Sequence, residues 1–512
     1  MDVRSLMRRA AGFFRDQEAI ITATDRLTFG EAWERGLRTA NFLLDRGLKP
    51  GDRVGVLEDN STQASDFYLG ATAANLVRVP LYPRNSRRTH AHTLERTGCR
   101  ALVVNSAYIE QVDGLDAELL CLDHIIVRDR SFEDAVAAQA PVDPNPAVAP
   151  DDYYIIRSTG GTTGLPKGVA YTHRKWLAAG RDWFYNFPPV QVGDVTLHLG
   201  PISHGSGYFF LPTWMAGGKN VLVDHFDADK ALELIEKERV THMFVVPTML
   251  NAMVRHPSAR SRDLSSLKCL NVGGAPTSDD TARLGIEVFG DSLYQGYGQT
   301  EALPVIMSSP REWFHSAPQA GPYPAGRPLP WVEVEIRNPE SHEPIGFGQE
   351  GEIAIRCDAQ MEGYWGDSEA TEQRMVDGWV LSGDIGRMDE QGYVYIVDRK
   401  DDMIISGGFN IWPAELENAI LEHPQVVEAA VFAIPDAKWG ETPVAICVVE
   451  PGAKATEEEV IELCRDRLGS YKKPSKVLFQ LDPLPRSAVG KIQRSVLSAP
   501  YWAGHARRVG GG

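Results

Sequence analysis

The segment best suited to chemistry is a short run of glycines and hydroxyl side chains. Residues 158–168 read STGGTTGLPKG, with four glycines, three threonines, one serine and one lysine, Lys167. Strand-like runs at 153–156 and 169–172 flank it. A backbone without Cβ atoms can approach an anion closely, while hydroxyls add donors and lysine adds charge. A plain glycine-rich hairpin turn needs neither the hydroxyls nor the lysine, so we predict a polyphosphate-binding loop.

Two further segments offer groups that suit a nucleotide. Residues 295–301 read QGYGQTE, in which glycines flank Tyr297 so that the backbone and the ring can lie against a flat base. Thr300 and Glu301 add the hard oxygens that Mg²⁺ prefers when it also holds phosphates. Residues 273–276, GGAP, leave a predicted strand at 268–272, and strand carboxyl ends are where α/β folds bind ligands.

These motifs identify a family resemblance. The loop differs from the Walker A motif, because Pro166 precedes Lys167 and no serine or threonine follows it. It resembles instead the phosphate-binding signature of the adenylate-forming superfamily, which comprises acyl-CoA synthetases, nonribosomal-peptide adenylation domains and firefly luciferase. Four other segments match that family in the same order, and the matches extend from Ser158 to Lys491. The resemblance covers essentially the whole chain.

The resemblance implies ATP, Mg²⁺ and coenzyme A as substrates and cofactor, and it implies residue roles. The implied catalytic residues are Lys491, Thr163, Glu301 and His204, with Glu301 as the magnesium ligand. The implied ATP and AMP site comprises Ser158, Thr159, Gly160, Gly161, Thr162, Thr163, Gly164, Lys167, Gly274, Ala275, Pro276, Gln295, Gly296, Tyr297, Gly298, Gln299, Thr300, Asp384, Arg399 and Lys491.

Several of these residues have an alternative interpretation. Asp384 can accept hydrogen bonds from both ribose hydroxyls and Arg399 can donate to the same sugar, but the two could equally form a surface ion pair. Lys491 follows the flexible Gly490, and the family's lysine bridges the substrate carboxylate and the α-phosphate. Residues 488–489 are Ala-Val where the family more usually has a threonine-bearing pair, which leaves the loop detail open.

The resemblance also assigns the region where a terminal domain would move. Asp401 is the implied hinge about which that domain swings between two catalytic poses. The following residues, 406–410, are predicted to form a mobile, donor-rich loop near the pantetheine arm of coenzyme A. The implied coenzyme A contacts are Ser406, Gly407, Gly408 and Phe409. An ordinary tight turn is the alternative for this loop.

The acyl pocket is expected around residues 201–215, where PISHGSG precedes an apolar, aromatic stretch. His204 is expected at its mouth, although a structural histidine fits nearly as well, and much of the stretch is expected to be core. The implied acyl contacts are His204, Tyr208, Gly274, Gly298 and Pro304, and Leu303 is expected to narrow the pocket floor. No acidic residue lies between 200 and 215 to pair with a substrate ammonium, which favours a fatty, aryl or alicyclic acid without an α-amine.

Composition restricts the class of protein. The 512 residues are 43% hydrophobic and 24% charged, which is typical of globular proteins and predicts about three domains or subdomains. The formal charge of −17 disfavours nucleic acid as a partner. Six scattered cysteines predict reduced thiols, and no apolar run approaches the ~18 residues of a membrane span. We therefore expect a cytoplasmic protein, and a second copy of the chain is the one macromolecular partner that we consider.

The pattern predicts an α/β fold. Buried strands at 53–57, 101–105 and 243–246 alternate with amphipathic helices at 28–46 and 228–239. We predict a large N-terminal domain, 1–400, with layered α/β subdomains and a small antiparallel β-subdomain at about 322–398. A small, mobile α+β domain, 401–512, is predicted to follow, with helices at 413–422 and 456–468 and strands at 426–434 and 443–449.

The predicted activity is that of an ATP-dependent acid–CoA ligase. The acid and ATP form acyl-AMP and pyrophosphate, and the coenzyme A thiol then displaces AMP. Two alternatives remain: an adenylating enzyme that passes the acyl group to a carrier-protein thiol or an amine, and a nucleotide-binding protein that has lost catalysis.

Overall fold

The structure is a computed structural model that describes residues 1–159, 166–186, 188–315, 323–406, 409–436, 438–469, 471–486 and 491–503. Gly160, Gly161, Thr162, Thr163, Gly164, Gly407 and Gly408, to which the sequence assigns roles, lie outside the described residues.

The strands, in chain order, are β1 (Glu18–Ile21), β2 (Arg26–Thr28), β3 (Arg53–Leu57), β4 (Val77–Leu81), β5 (Ala101–Asn105), β6 (His124–Arg128), β7 (Tyr153–Ser158), β8 (Gly168–Thr172), β9 (Val195–His198), β10 (Lys219–Leu222), β11 (His242–Val245), β12 (Cys269–Gly273), β13 (Leu293–Gln299), β14 (Ala302–Ser308), β15 (Arg327–Pro328), β16 (Val332–Arg337), β17 (Gly351–Cys357), β18 (Gly363–Tyr364), β19 (Met375–Val376), β20 (Trp379–Met388), β21 (Val394–Arg399), β22 (Ile404–Ser406), β23 (Phe409–Ile411), β24 (Val426–Asp436), β25 (Gly440–Val449) and β26 (Lys476–Gln480).

The α-helices, in chain order, are α1 (Val3–Phe13), α2 (Phe29–Asp45), α3 (Thr62–Ala73), α4 (Arg87–Thr97), α5 (Leu115–Glu118), α6 (Arg130–Ala137), α7 (His173–Asn186), α8 (Gly207–Met215), α9 (Ala228–Glu238), α10 (Pro247–Arg255), α11 (Asp279–Phe289), α12 (Pro310–His315), α13 (Ser368–Arg374), α14 (Pro413–Ile420), α15 (Glu457–Leu468) and α16 (Arg494–Trp502).

Two large sheets organise the first of two compact units, Met1–Glu333 with Arg356–Val380. One sheet has nine strands in the order β15-β14-β13-β12-β11-β9-β10-β1-β2, and the other has seven in the order β18-β8-β7-β4-β3-β5-β6. Their central strands pair in parallel, as β9 does with β10 and β11, and β3 does with β4 and β5. Helices between successive strands make this the predicted α/β layering.

The strands that the sequence predicted most clearly are the fully buried ones. The observed β3 and β5 have the predicted bounds, and β11 differs by one residue at each end. Strands of parallel sheets are buried on both faces and read as continuous apolar runs, which is why the pattern was visible. The predicted helices at 28–46 and 228–239 correspond to α2 and α9.

The carboxyl ends of β9, β11, β12 and β13 lie at one edge of the nine-stranded sheet, because these strands are parallel. The chain leaves that edge through residues 199–206 after β9, through GGAP after β12, and through Thr300 and Glu301 after β13. Segments that are distant in sequence are therefore brought to one place by the topology.

The second unit comprises Val334–Ile355 and Leu381–Gly512. A sheet in the order β16-β17-β20-β19, with β21 paired to β20, has most of its residues in this unit. This sheet contains the strands that the sequence predicted for the β-subdomain. Its β19/β20 and β20/β21 pairs are antiparallel. The unit also holds a sheet in the order β23-β22-β25-β24, with β26 paired to β25. The domain boundary at 400/401 stays a prediction.

The C-terminal elements follow the sequence closely except in one loop. Helix α15 begins after Thr456, whose hydroxyl accepts a hydrogen bond from the Glu459 N–H. The Thr456 N–H donates in turn to the Glu459 carboxylate, which completes a capping box. The prediction of a loop over residues 406–410 is wrong in part. Ser406 ends β22 and pairs with Phe409 of β23, so Ser406, Phe409 and Asn410 belong to strands.

Two negative findings apply to the described part of the chain. No helix there is long and apolar enough to cross a membrane. The six cysteines, all of them described, are free thiols, and four of them are buried.

A glycine contact between α2 and α3 yields a stability prediction. A Cβ on Gly36 would lie 2.7 Å from the Leu69 Cβ, whereas a Cβ on Gly12, in the exposed face of α1, would meet nothing within 4 Å. We expect Gly36→Ala to destabilise the protein by about 1–3 kcal/mol through overpacking. Gly12→Ala should stabilise it by up to about 1 kcal/mol, because alanine is the better helix former.

Thermal unfolding midpoints of the two variants and the parent protein measure the difference. An equal or higher midpoint for Gly36→Ala than for Gly12→Ala would contradict this account of the α2/α3 contact.

Candidate active site

The glycine-rich segment connects two antiparallel strands. Ser158 at the end of β7 pairs with Gly168 at the start of β8, and the Thr159 N–H donates to the Lys167 carbonyl at 3.0 Å. The segment is therefore a hairpin connection whose two ends are hydrogen-bonded to each other.

Tyr364 joins this hairpin to the segment around Glu301. It lies in β18, which pairs with β8, and its ring centroid is 5.1 Å from the Lys167 Nζ, within cation–π range. Its hydroxyl donates to the Glu301 Oε1 at 2.7 Å. Burial, and then the charge of Glu301, raise the pKa of Tyr364, so the phenol stays protonated and donates this bond. One side chain thus contacts both a cation and a carboxylate that the sequence assigned to phosphate and metal.

Glu301 lies at the turn between β13 and β14 and is buried. The Met361 N–H donates to its carbonyl at 2.7 Å, and the Arg374 Nη2 lies 3.9 Å from its Oε1. Arg374 also donates to the Gln299 Oε1 at 2.8 Å. The turn between β13 and β14 and the Glu301 carboxylate are therefore both held by contacts with residues 361–374.

The donor set around Glu301 fits Mg²⁺ bound together with phosphates. Within the described ranges, no group of three or more histidine, cysteine, aspartate or glutamate side chains could hold a metal ion by itself. Mg²⁺ at a substrate site commonly uses one or two carboxylates and takes its other ligands from phosphates and water. One buried carboxylate next to the predicted phosphate loop matches that chemistry.

The QGYGQTE segment belongs largely to a strand. Residues 295–299 are in β13, and a Cβ on Gly296 would lie 2.9 Å from the Asn271 Oδ1. A Cβ on Gly298 would lie 2.4 Å from the Leu303 Cδ1, so Leu303 occupies the space beside this glycine. The Tyr171 hydroxyl donates to the Thr300 carbonyl at 2.8 Å. The glycines are thus required by close packing at the strand end.

The GGAP turn lies beside this strand. Gly273 pairs with Gly296, and a Cβ on it would lie 2.6 Å from the Gly296 carbonyl oxygen. Gly274 has φ +84°, a conformation that favours glycine, and it is exposed together with Ala275 and Pro276. Three exposed residues, 274–276, therefore follow β12 at the edge of the sheet where the parallel strands have their carboxyl ends.

The loop that carries His204 is held by Asn60. The Asn60 Nδ2 donates to the carbonyls of His198, Gly200 and Val223 at 3.2, 2.8 and 3.0 Å, and its Oδ1 accepts from the Ile202 N–H at 2.8 Å. Asn60 follows β3 of the seven-stranded sheet, while the loop follows β9 of the nine-stranded sheet. A Cβ on Gly207 would lie 1.8 Å from the Ile202 carbonyl oxygen, so only glycine can begin α8 here.

His204 contacts two side chains that the sequence had not singled out. Its Nδ1 lies 2.5 Å from the Tyr82 hydroxyl and 2.7 Å from the Arg157 Nη2. Burial raises the pKa of Tyr82 to about 12. The guanidinium carbon of Arg157 lies 4.4 Å from the centroid of the Tyr208 ring.

Tyr208 and the rest of the aromatic stretch pack in the core, as the sequence suggested for most of it. Tyr208 stacks on Trp176 at a centroid distance of 4.9 Å, and Phe209 packs against Trp183 at 4.7 Å. Pro304 is buried in β14. No acidic residue occurs in the His204 loop or in α8.

The second unit holds the remaining candidates. Asp384 and Arg399 are register partners in β20 and β21, with the Arg399 Nε 3.2 Å from the Asp384 Oδ1. The ion pair that the sequence allowed is therefore present, and the Asp384 side chain is buried. Asp401 lies in a 3₁₀ turn, Lys400–Asp402, and Lys491 is exposed one residue before the isolated bridge between Arg486 and Ile492.

Sequence reasoning missed five residues that support these groups: Asn60, Tyr82, Arg157, Tyr364 and Arg374. Arg157 left one signal, since it is a charge at the end of an otherwise apolar buried strand directly before the phosphate hairpin. The others act by contacts between segments far apart in the chain, which no local pattern predicts.

Comparison with known proteins agrees with this architecture. Residues 7–365 match the model of the AMP-binding enzyme family, and residues 415–491 match its C-terminal domain. A feruloyl-CoA synthase of Amycolatopsis is 38% identical over 91% of this chain and 92% of its own. The medium/long-chain-fatty-acid–CoA ligase FadD8 of Mycobacterium tuberculosis is 31% identical over 97% of this chain and 89% of its own.

Two further matches extend the comparison. The fatty acid–[acyl-carrier-protein] ligase ScoC of Streptomyces coeruleorubidus is 32% identical, over 96% of this chain and 95% of its own. The crystal structure of ATP-bound MatB from Rhodopseudomonas palustris superimposes with a TM-score of 0.88 at 29% identity, covering 98% of this chain and 99% of that one. The predicted fold class and enzyme character are confirmed. On the family model and these relatives together, the chain belongs to the AMP-binding, adenylate-forming enzyme family.

Proposed function

We propose that this protein is an AMP-forming acid–CoA ligase. It joins a carboxylic acid to ATP as acyl-AMP with release of pyrophosphate, and then transfers the acyl group to the thiol of coenzyme A. The observation that carries the proposal is the contact of Tyr364 with both Lys167 and Glu301. That contact supports the proposal, because it joins Lys167 of the predicted phosphate loop to the buried carboxylate of Glu301 in a chain whose relatives include CoA ligases.

The nucleotide occupies the edge where β12 and β13 end. Ser158, Thr159, Lys167 and the hairpin residues 160–164 bind its phosphates, and the exposed GGAP turn with residues 295–300 binds the base. Asp384 and Arg399, which form an ion pair with each other, are the proposed ribose contacts. Mg²⁺, held by Glu301 and by phosphate oxygens, would supply positive charge where the pyrophosphate leaves.

The acid lacks an α-amine and belongs to the fatty, aryl or alicyclic class. A buried substrate ammonium would need a counter-charge, and the wall formed by the His204 loop and α8 has no acidic residue. His204, Tyr208, Gly274, Gly298 and Pro304 are the proposed acyl contacts. Leu303 lies against Gly298 and reduces the space at that point.

Coenzyme A is the proposed acceptor, with Ser406, Gly407, Gly408 and Phe409 near its pantetheine arm. The alternative is a carrier-protein thiol, which is the acceptor named for the relative ScoC. Asp401 is the proposed hinge of a terminal domain that presents Lys491 in the first half-reaction only. The cytoplasmic location and the homodimer stay predictions.

The decisive experiment is pyrophosphate release with a panel of acids: ferulate, benzoate, cyclohexanecarboxylate, dodecanoate and hexadecanoate. Release that depends on the acid, followed by CoA-ester formation, is expected with at least one member. Release without ester formation unless a carrier protein is added would favour the alternative acceptor. No release with any acid would contradict the ligase assignment.

Lys491→Ala should separate the two half-reactions. If the lysine acts where charge builds between carboxylate and α-phosphate, adenylation should fall by about 10²–10³. Ester formation from supplied acyl-AMP and coenzyme A should continue at near the parent rate. Both rates are measured as CoA-ester formation, from ATP plus acid and from synthetic acyl-AMP.

The matched control for this variant is Lys473→Ala, which removes the charge of another exposed lysine in the second unit. It should leave both rates unchanged. Equal losses in the two half-reactions for Lys491→Ala would show that this lysine is structural.

Tyr364→Phe should weaken the use of Mg²⁺. The variant keeps the ring beside Lys167 but removes the hydrogen bond to the Glu301 carboxylate, which is worth about 1.5–3 kcal/mol for a charged acceptor. We expect kcat for adenylation to fall by about tenfold or more, and the Mg²⁺ concentration for half-maximal rate to rise. Activity is measured as a function of Mg²⁺ at saturating ATP.

Tyr153→Phe is the control, because it deletes a partly exposed hydroxyl from a ring that packs against Trp365, next to Tyr364. If Tyr364→Phe matched this control at every Mg²⁺ concentration, the Tyr364–Glu301 contact would have no part in catalysis.

A further inference from the structure

The chain on both sides of Lys491 is attached to one edge strand of the second unit, β24. This strand pairs with β25 along one side and ends the sheet order β23-β22-β25-β24 on the other. Before Lys491, the Leu484 N–H donates to the Glu428 carboxylate of β24 at 3.4 Å. After it, the Trp502 Nε1 donates to the Ala433 carbonyl of β24 at 2.9 Å. An edge strand presents backbone groups that another segment can satisfy, and here that segment carries Lys491.

The backbone brings the two ends of this segment together next to Lys491. The Gln493 N–H donates to the Pro485 carbonyl at 2.8 Å, and Arg486 forms an isolated antiparallel bridge with Ile492. The Ile492 side chain packs against the apolar cluster on β24 and β25. Lys491 is therefore one residue away from a paired base that rests on this sheet.

A carboxylate of β24 holds the first end of the segment. Glu428 accepts from the Leu484 N–H with one oxygen and from the Arg486 Nη2 at 2.9 Å with the other. The Arg486 and Glu428 side chains are 24% and 27% exposed. Because an ion pair with this exposure contributes little to stability, its loss should leave the fold intact. The pair instead determines the path of the chain at residues 484–486.

A carboxylate of α14 holds the other end. Glu417 accepts from the Arg494 Nε at 2.9 Å and Nη2 at 2.6 Å, and also from the Val431 N–H of β24 at 2.8 Å. The Arg494 Nη1 donates to the Asp402 Oδ2 at 2.9 Å. Two parallel bonds between a guanidinium and a carboxylate fix orientation as well as distance. Arg494 is three residues after Lys491, so an arginine–glutamate pair attached to β24 holds each end of the segment.

We propose that the two arginine–glutamate pairs are positioning contacts that hold the backbone of Lys491 for the adenylation step. A lysine side chain is a flexible four-carbon stem, so the position of its ammonium depends on where the backbone is fixed. A displacement of about 1 Å can lower a rate by about 10²-fold. The inference rests on the proposed function, which gives Lys491 its role. It adds four residues that lie outside the nucleotide, acyl and coenzyme A contacts named above.

The two pairs could instead serve only to cover the edge of β24. A contact that only covers the edge would lower stability and affect both half-reactions alike. A positioning contact affects adenylation alone, because Lys491 is proposed to act in that half-reaction only. The ratio of the two half-reaction rates therefore distinguishes the two roles.

The kinetic test removes the first pair from either side, with Arg486→Met and with Glu428→Gln. We expect each variant to lower kcat for adenylation by about five- to 100-fold, while ester formation from supplied acyl-AMP and coenzyme A continues at near the parent rate. Arg486→Lys keeps the charge and should recover part of the loss. The double variant Arg486→Glu with Glu428→Arg rebuilds the pair with reversed charges and should also recover part of it.

The second pair is tested with Arg494→Lys. This variant keeps a positive charge beside the carboxylates of Glu417 and Asp402 but loses the fork of hydrogen bonds. Adenylation should again fall more than ester formation from acyl-AMP. An unchanged ratio of the two rates would overturn the positioning role of this pair.

Removal of Lys491 provides the sharpest test, because the pairs are proposed to act through it. In a Lys491→Ala background, Arg486→Met should lower the remaining adenylation rate by less than about twofold, so the two effects should not add. If Arg486→Met caused the same fold-loss with and without Lys491, the proposal would be overturned.

The matched control is Arg467→Met. Arg467 pairs with Glu422 in the same unit, with its Nε 2.7 Å from the carboxylate, but it belongs to α15. Its loss should leave both half-reactions unchanged. Thermal unfolding midpoints of Arg467→Met, Arg486→Met and Glu428→Gln establish that each variant is folded, and Glu428→Gln alone suffices for the test if Arg486→Met does not fold.

The outcomes also separate this inference from the proposed function. A large loss of adenylation in Lys491→Ala, with none in Arg486→Met or Glu428→Gln, would overturn the positioning contacts and keep the role of Lys491. Equal losses in both half-reactions for Arg486→Met and Glu428→Gln would assign the pair to the fold and overturn the inference as well. Absence of pyrophosphate release by the parent enzyme with every acid would instead overturn the ligase assignment, and with it the role of Lys491.

Discussion

The geometry of the site depends on the hydrogen bonds of the Asn60 carboxamide. Asn60 follows a strand of one sheet, and its carboxamide makes four hydrogen bonds with backbone groups at or just after the ends of two strands of the other. Chain that leaves a sheet edge has carbonyls and N–H groups that no longer have ladder partners, and buried backbone groups must be paired. One side chain satisfies them here, and so determines the path of the loop that bears His204. The close approach of Gly207 to the Ile202 carbonyl depends on the same path.

Tyrosine side chains contact several of the candidate site residues in the first unit. Tyr364 contacts Lys167 and Glu301, Tyr171 holds the Thr300 carbonyl, and Tyr82 contacts His204. A buried phenol stays neutral, which suits it to lie between charges without adding one. It also offers a ring face to a cation and a hydroxyl to an anion. This explains how oppositely charged groups lie close together within a largely apolar unit.

Two buried arginines, Arg78 and Arg157, differ in the side chains that they contact. Arg78 and Arg157 both stack on tyrosine rings and both have nitrogens without hydrogen-bond partners. Arg78 lies between the rings of Tyr68 and Tyr154, which encloses it in the core. Arg157 donates instead to a histidine that reaches the surface. Residue type and burial are the same in the two cases, and only the neighbour differs.

The sequence by itself determined what depends on short-range pattern. Continuous apolar runs predicted β3 and β5, the pattern from residue 456 to 468 predicted α15, and the composition of residues 158–168 predicted an anion loop joining two strands. The strand and helix predictions are confirmed, because propensity and capping are properties of neighbouring residues, whereas the anion loop stays a prediction. The strand pairing of Ser406 with Phe409 was left open between two alternatives, because glycine suits a loop and a tight connection between strands equally.

Only the tertiary structure decided which side chains support the predicted ones. Asn60, Tyr82, Arg157, Tyr364 and Arg374 act across separations of tens to hundreds of residues, where the partner depends on strand order and on which strand ends share an edge. The same holds for the ion pair between Asp384 and Arg399, since it depends on the register that makes the two residues partners in β20 and β21. The reactions in which a side chain can take part depend on its residue type and can be predicted from the sequence. The distance between two side chains depends on the fold.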